Sequence, residues 1–236
     1  MRIALFGYGK MGHEIESVAR EQGETIAQVF DEFRLVQADA LGDVDVCVDF
    51  STPDAVAGNI RAAIQARKDI VVGTTGWNQH LPEFRDTVKD MGLLYSSNFS
   101  LGMNYFFRMV KRAAELMNHA ENYDPSIHEI HHRQKMDSPS GTALTLARIL
   151  IDGIDRKTEI LTALPAGAIK PGMLHVSSTR VGTVAGTHTV SFDSSEDLIE
   201  LTHVAKTRRG FAMGALAAAR WLHGRKGIYT MDDVDL

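Results

Sequence analysis

Two His, an Arg and a Lys fall within the five residues His131-His132-Arg133-Gln134-Lys135. An imidazole gives or takes a proton near neutral pH, and Lys and Arg neutralise and orient carboxylates. Met136-Asp137-Ser138-Pro139 then leads to Ser140-Gly141-Thr142, which opens a helical stripe of Ala143, Ala147, Leu150, Ile151 and Ile154. A helix start carries unpaired N–H groups that bind anions, and the small Gly141 lets a carboxylate come close. The combination points to proton transfer beside a small, multiply charged anion. Plainer readings compete. The run is also compatible with a solvated basic loop, with Asp137 and Glu129 as its surface salt-bridge partners. Ser140 and Thr142 suit helix capping whatever else they do. A metal held by His128, His131 and His132 lacks a Cys or carboxylate at a familiar spacing, so no metal is expected. His188 and Arg180, on a later strand-like stretch, are able to face the same cleft but read first as structural.

A second constellation lies at the start of the chain. Gly7-Tyr8-Gly9-Lys10-Met11-Gly12 fits G-x-G-x-x-G between a strand ending at Phe6 and a helix beginning near Met11. The first Gly permits a tight turn, the second lets backbone N–H groups approach a pyrophosphate, and the third allows close helix packing. Asp31 follows at the spacing of a ribose-binding acid and favours NAD. Lys10 and Arg34 are cations placed to meet a 2′-phosphate, or they are solvated surface charges, so NADH, NADPH or both fit. Gly73-Thr74-Thr75 and Ser96-Ser97-Asn98-Phe99 each follow a predicted strand, at the edge where open α/β sheets bind ligands. Both also read as ordinary turns. Cys47, among Val residues, reads as a small buried hydrophobe.

The elements that must position these residues follow from periodicity. Strands are predicted at 2–6, 26–30, 44–50, 70–72 and 93–96, and helices at 11–22, 55–66 and 81–89. This is the βαβ pattern of a parallel sheet. A helix at 105–118, a strand at 126–132 and a helix at 142–154 come next. An antiparallel meander is expected over 174–206, with turns at Val184-Ala185-Gly186 and Asp193-Ser194-Ser195-Glu196. The Ala-rich stretch 211–223 reads as a final helix, and Phe106, Phe107, Val110, Ala113 and Ala114 as a core stripe. This order predicts an interrupted nucleotide domain, residues 1–103 and 208–236, around an inserted domain at 104–207.

Composition narrows the class. The 236 residues carry 25 Lys+Arg and 30 Asp+Glu, a formal charge of −5, with 44% hydrophobic and 23% charged residues. Those are values of an ordinary globular protein, neither disordered nor collagen-like. A mildly acidic chain lacks the basic footprint of sequence-independent nucleic-acid binding. One Cys forms no internal disulfide, which fits a reducing, cytoplasmic setting. The apolar start, residues 1–6, is too short for a signal peptide or a membrane span, and no membrane partner is expected.

Taken together these motifs resemble the 4-hydroxy-tetrahydrodipicolinate reductase (dihydrodipicolinate reductase) family. The resemblance covers essentially the whole chain: Gly7–Gly12, Asp49-Phe50-Ser51, Gly73–Gly76, Asn98-Phe99-Ser100, Glu129–Lys135, Ser138–Leu144, and the late Arg180, Gly186 and His188. It implies an α/β fold: a Rossmann-type dinucleotide-binding domain plus an α+β domain on a mixed, largely antiparallel sheet that binds substrate and builds a homotetramer. It implies hydride transfer from NADH or NADPH to a cyclic imine dicarboxylate in the diaminopimelate–lysine pathway. His131 would be the proton donor and Lys135 a second one. His132, Arg133, Ser140, Gly141 and Thr142 would bind substrate. Gly7 to Gly12, Asp31, Arg34, Gly73 to Thr75 and Ser96 to Phe99 would line the cofactor. Asp31-Glu32 stands where many members carry an acid followed by Arg, which leaves cofactor preference open.

Overall fold

A computed structural model describes residues 1–235. The chain runs β1 (Arg2–Phe6), α1 (Lys10–Glu21), β2 (Thr25–Phe30), β3 (Val46–Asp49), α2 (Pro53–Ala66), β4 (Asp69–Val72), α3 (Leu81–Phe84) and β5 (Gly92–Tyr95). It continues through α4 (Leu101–Asn118), β6 (Asp124–His131), α5 (Gly141–Gly153), β7 (Glu159–Leu161), β8 (Met173–Arg180), β9 (Thr187–Asp193), β10 (Leu198–Val204), α6 (Arg209–Leu222) and β11 (Gly227–Tyr229). Two compact units result, Met1–Asn104 with Arg208–Leu236, and Tyr105–Thr207.

The first unit is a parallel six-stranded sheet in the order β11-β5-β4-β3-β1-β2. Side chains alternate between its faces, because successive residues of a strand point opposite ways. Ile3, Leu5, Val46, Val48, Val71 and Leu94 face α1 and α6, while Ala4, Phe6, Cys47, Ile70, Val72 and Leu93 join the cluster of α2. Coverage on both faces explains why these strands are nearly continuous apolar runs. Each buried aliphatic side chain contributes about 1.5–3 kcal/mol. Cys47 is fully buried, as expected of a small hydrophobe, and burial pushes its thiol up. The strand order reverses between β1 and β3, the position where open α/β sheets bind ligands at their carboxyl edge.

Several elements differ from expectation for local reasons. Ser100 caps α4, accepting from Met103 N and, through its carbonyl, from Asn104 N, so the helix starts at Leu101 rather than Tyr105. The helix expected at 81–89 ends at Phe84, where the Thr87 hydroxyl donates to the Glu83 and Phe84 carbonyls and competes with the helical ladder. The three-residue strands β7 and β11 are too short to leave a periodic pattern.

The second unit holds a five-stranded mixed sheet in the order β10-β9-β6-β8-β7. The expected meander fails between its first two strands. β8 and β9 do not pair; β6 lies between them, parallel to β8 and antiparallel to β9. The stretch around Val184-Ala185-Gly186 is therefore a crossover past β6, and only β9 and β10 form the expected hairpin. Of the four pairings two are parallel, β6–β8 and β7–β8, and the two antiparallel ladders are the longer, so the sheet is mixed. Turn residues report a chain reversal, not the strand that receives it. One face buries Ile127, Leu174, Val176, Val190 and Phe192, and α5 packs on this sheet with Ala143, Leu146, Ala147 and Leu150 buried. No helix among the described residues is long and apolar enough to cross a membrane.

Candidate active site

Sheet register in the second unit gathers the chemistry. Ile127, Glu129 and His131 share one face of β6, and the register places Ser178 and His188 on either side of Glu129. Arg180 is the partner of His131 on β8. An apolar sheet face thus ends in a polar row. The same alternation puts His128 on the opposite face, where it bonds the Ser177 hydroxyl at 2.8 Å, so His128, His131 and His132 do not converge on a metal.

Glu129 is the hub, and it is fully buried, not a surface salt-bridge partner. Its Oε1 accepts from Ser140 N at 3.0 Å, Ser178 Oγ at 2.8 Å and Arg180 Nη2 at 2.9 Å. Its Oε2 accepts from Ser140 Oγ and stands 3.4 Å from both His131 Nδ1 and His188 Nε2. Burial opposes the charge, but donors from His188, Ser140, Arg180 and Ser178 outweigh it and hold the carboxyl far below the usual range. Glu129, His131 and His188 lie within 4.8 Å of one another. The register that creates this row is non-local, and no spacing in the sequence marks it.

His131 is itself buried, with its ring edge-on to His188 at a centroid distance of 5.1 Å. Burial lowers its pKa to about 4, against the pull of Glu129 and with the help of His188, Lys135 and Arg180. Its Nδ1 makes no hydrogen bond of normal geometry. Gly186, at φ 155°, faces the other edge of the ring, where a Cβ would lie 3.0 Å from Nε2. A side chain there would close off the edge that Gly leaves clear.

Acid should therefore weaken the fold. An unfolded His131 takes a proton near 6.5, and the folded one resists until about 4. Between those values the unfolded chain binds more protons, so stability falls with pH, by on the order of 3 kcal/mol from this group. Thermal unfolding between pH 7 and 4 should show a smaller loss of Tm for His131→Gln than for wild type. Parallel loss in both proteins would mean that His131 is not held neutral.

The loop from His132 to Ser140 supplies the cations. Lys135 Nζ is 2.7 Å from Asp137 Oδ1, while Arg180 Nη2 also bonds the Asp137 carbonyl at 2.6 Å. Lys135 first, and then the N–H groups of Asp137 itself and Gly141, hold the Asp137 carboxyl below its ordinary range. A carboxylate of the chain's own thus rests between Lys135 and the start of α5. Ser140 is the N-cap of α5, accepting from Ala143 N at 3.1 Å. Gly141 is exposed and Thr142 half-buried. His132 is half-buried with an unpaired Nδ1. The Arg133 side chain is exposed, and its backbone N–H bonds the Gly182 carbonyl.

In the first unit, the turn from β1 to α1 forms a cradle. Gly7 has φ 90°, and a Cβ there would lie 2.4 Å from the Phe50 carbonyl oxygen. Gly9 differs: a Cβ on it would meet nothing within 4 Å, and no side chain caps the α1 N-terminus it precedes. A cavity of about 650 Å³ is lined by residues including Gly7, Tyr8, Gly9, Asp31, Arg34 and Ser51. A second, of about 490 Å³, is lined by residues including Gly9, Lys10, Met11, Gly73, Thr74 and Thr75. The cavities separate the two predicted cations, and only Arg34 shares one with Asp31. Asp31 Oδ1 accepts from the Phe33 and Arg34 N–H groups, and Arg34 lies over the Phe30 ring at 4.8 Å.

Ser96, Ser97, Asn98 and Phe99 belong to the lining of neither cavity. Ser96 Oγ and Asn98 bond one another across their own turn, and Phe99 is core, edge-on to Phe50 at 5.8 Å. Asp49 is an unanticipated member of the cradle's frame. Fully buried, it accepts from Ser51, Asn59 and Thr74, and ties the ends of β3 and β4 to α2. Burial raises its pKa despite these donors.

Comparison with known proteins agrees with this architecture. Residues 1–99 match the family model for "Dihydrodipicolinate reductase, N-terminus", and residues 102–234 the one for "Dihydrodipicolinate reductase, C-terminus". The 4-hydroxy-tetrahydrodipicolinate reductase of Christiangramia forsetii is 40% identical over 99% of this chain and 97% of that protein. Its counterpart from Akkermansia muciniphila is 37% identical over 96% of this chain and 94% of that protein. In fold, the chain is similar to a dipicolinate-bound dihydrodipicolinate reductase from a Paenisporosarcina species, with a TM-score of 0.81 at 22% identity over 100% of this chain and 99% of that one. The chain belongs to the dihydrodipicolinate reductase family.

Proposed function

We propose that this protein reduces 4-hydroxy-tetrahydrodipicolinate, by way of dihydrodipicolinate, to tetrahydrodipicolinate with NADH or NADPH, in the diaminopimelate–lysine pathway. Family membership supports the reaction, and the observation that carries the site assignment is the buried His131 beside Lys135 and the α5 N-terminus. When bound, the reduced nicotinamide supplies the hydride.

The residues of this chain do the rest. Gly9 and the uncapped N-terminus of α1 offer N–H groups and room to a pyrophosphate. Asp31, with Oδ1 tied into its own turn, keeps Oδ2 for a ribose hydroxyl. Arg34, beside it, is the cation for a 2′-phosphate, and Gly73 to Thr75 form a wall of the neighbouring cavity. Lys135, His132, Arg133 and the Ser140-Gly141-Thr142 helix start hold the two substrate carboxylates, one of them displacing Asp137. A dianion beside His131 favours the imidazolium, reversing the effect of burial in the empty site. His131 then protonates the ring as hydride arrives, and Lys135 is the second donor.

Homotetramer formation through the second unit fits the edge strand β10, where Leu198, Ile199 and Val204 are exposed. The unpaired Cys47 suits a reducing cytoplasm.

Pyridine-2,6-dicarboxylate, a planar mimic of the ring and its carboxylates, should inhibit competitively with the imine. It is the dipicolinate of the Paenisporosarcina structure. No inhibition at millimolar concentrations would count against this substrate and favour another imine.

A further inference from the structure

We propose that Glu129 is the positioning residue of the proton-transfer site: its Oε2 holds the Nδ1 edge of His131, so that Nε2 is the atom that gives and takes the proton beside Gly186. This rests on the role of His131 proposed above.

The two oxygens of Glu129 have different surroundings. Oε1 is held by three fixed donors, Ser140 N, Ser178 Oγ and Arg180 Nη2, which lock the plane of the carboxylate. Oε2 faces Ser140 Oγ and the two imidazoles. Anchoring α5 or Arg180 requires the Oε1 side and Ser140 alone. It gives no reason for two buried histidines to share the other oxygen, nor for His131 Nδ1 to be buried without another partner.

A carboxylate placed there selects the tautomer with the proton on Nδ1 and stabilises the imidazolium. The 3.4 Å separation belongs to the empty site, and such contacts tighten when the charge appears. The charged and titratable groups facing His131 are Glu129 on its own strand, Arg180 on β8, His188 on β9 and Lys135 in the loop. Of these only Glu129 favours its protonation. The edge-on His188 ring limits rotation of His131, and Gly186 keeps Nε2 open. In the reaction Nε2–H breaks as its proton joins the ring, Nδ1–H stays with Glu129, and water returns a proton to Nε2. No electron passes through Glu129.

The test combines NMR of the histidine ring nitrogens in the full-length wild type with kinetics of Glu129→Gln, His131→Gln and the double variant. We expect resting His131 to carry its proton on Nδ1. Glu129→Gln should lose that preference, shift the acid limb of the kcat–pH profile, and lower kcat by about 10²-fold or more, with nucleotide affinity unchanged. In the His131→Gln background the same change should cost little more, because the two residues act as a unit. A proton resting on Nε2 in the wild type overturns the proposal, as does an undiminished Glu129→Gln effect in the double variant. Should Glu129→Gln fail to fold, the wild-type tautomer decides. A wild type inactive on the imine sinks the proposed function, yet leaves the tautomer measurement standing.

Discussion

His131→Gln is expected to lower kcat by roughly 10²–10⁴-fold, the range for a lost acid–base group, while NADH affinity stays near its wild-type value. Gln approximates the polar reach of imidazole but does not titrate, so it separates proton supply from shape. The two cavities beside the Gly7-to-Gly12 turn, where the nucleotide is proposed to bind, lie in the other compact unit and draw no lining residue from β6. Binding of NADH followed by fluorescence, alongside single-turnover reduction, separates the two effects. If turnover survives the substitution, Lys135 becomes the leading proton donor. Loss of nucleotide binding together with turnover would instead indicate a folding defect.

Gly9→Val should do the opposite, leaving Tm near wild type while weakening the dinucleotide. At φ −85° the backbone suits an ordinary residue, and a Cβ meets nothing within 4 Å. No protein atom opposes the first carbon of the added side chain, whereas a bound pyrophosphate would. Losing one or two charge-assisted hydrogen bonds, each about 1.5–3 kcal/mol, implies an affinity loss of about tenfold to on the order of ten-thousandfold. Gly7→Val would instead lower Tm, since its Cβ would collide with the Phe50 carbonyl at 2.4 Å. Calorimetric titration with NADH and thermal unfolding distinguish the pair. Unchanged NADH affinity in Gly9→Val would remove the phosphates from this turn.

The contrast between these two sites shows what a sequence makes legible. The core of the cradle around Gly7 to Gly12 is local, since strand, turn and helix follow one another, although Asp49, Phe50 and Ser51 pack against it from the end of β3. The first unit was accordingly readable for five of its six strands, all but the three-residue β11, because residues such as Val46 to Val48 are buried on both faces and stay apolar. The second site was readable only where it is one segment, His131 to Thr142. For Glu129 the sequence offered only a surface salt bridge as one plain reading, because its donors Ser178, Arg180 and His188 come from strands on both sides of β6. A turn signal at Val184-Ala185-Gly186 suggested a hairpin, and the insertion of β6 between β8 and β9 depends on long-range pairing that no local pattern encodes. Alternation alone would have kept Glu129 and His131 on one face and His128 on the other. Ser96 to Phe99 sit at the predicted strand end, where Ser96 and Asn98 bond within their own turn and none of the four lines either cavity described above.

The decisive experiment is oxidation of NADH and of NADPH, followed by absorbance, with dihydrodipicolinate freshly generated by its synthase. Oxidation that depends on the imine is expected, with kcat/KM for the two cofactors set by Asp31 against Arg34. No oxidation with either cofactor, from a folded protein that binds nucleotide, would contradict it and turn attention to another imine or to nucleotide sensing.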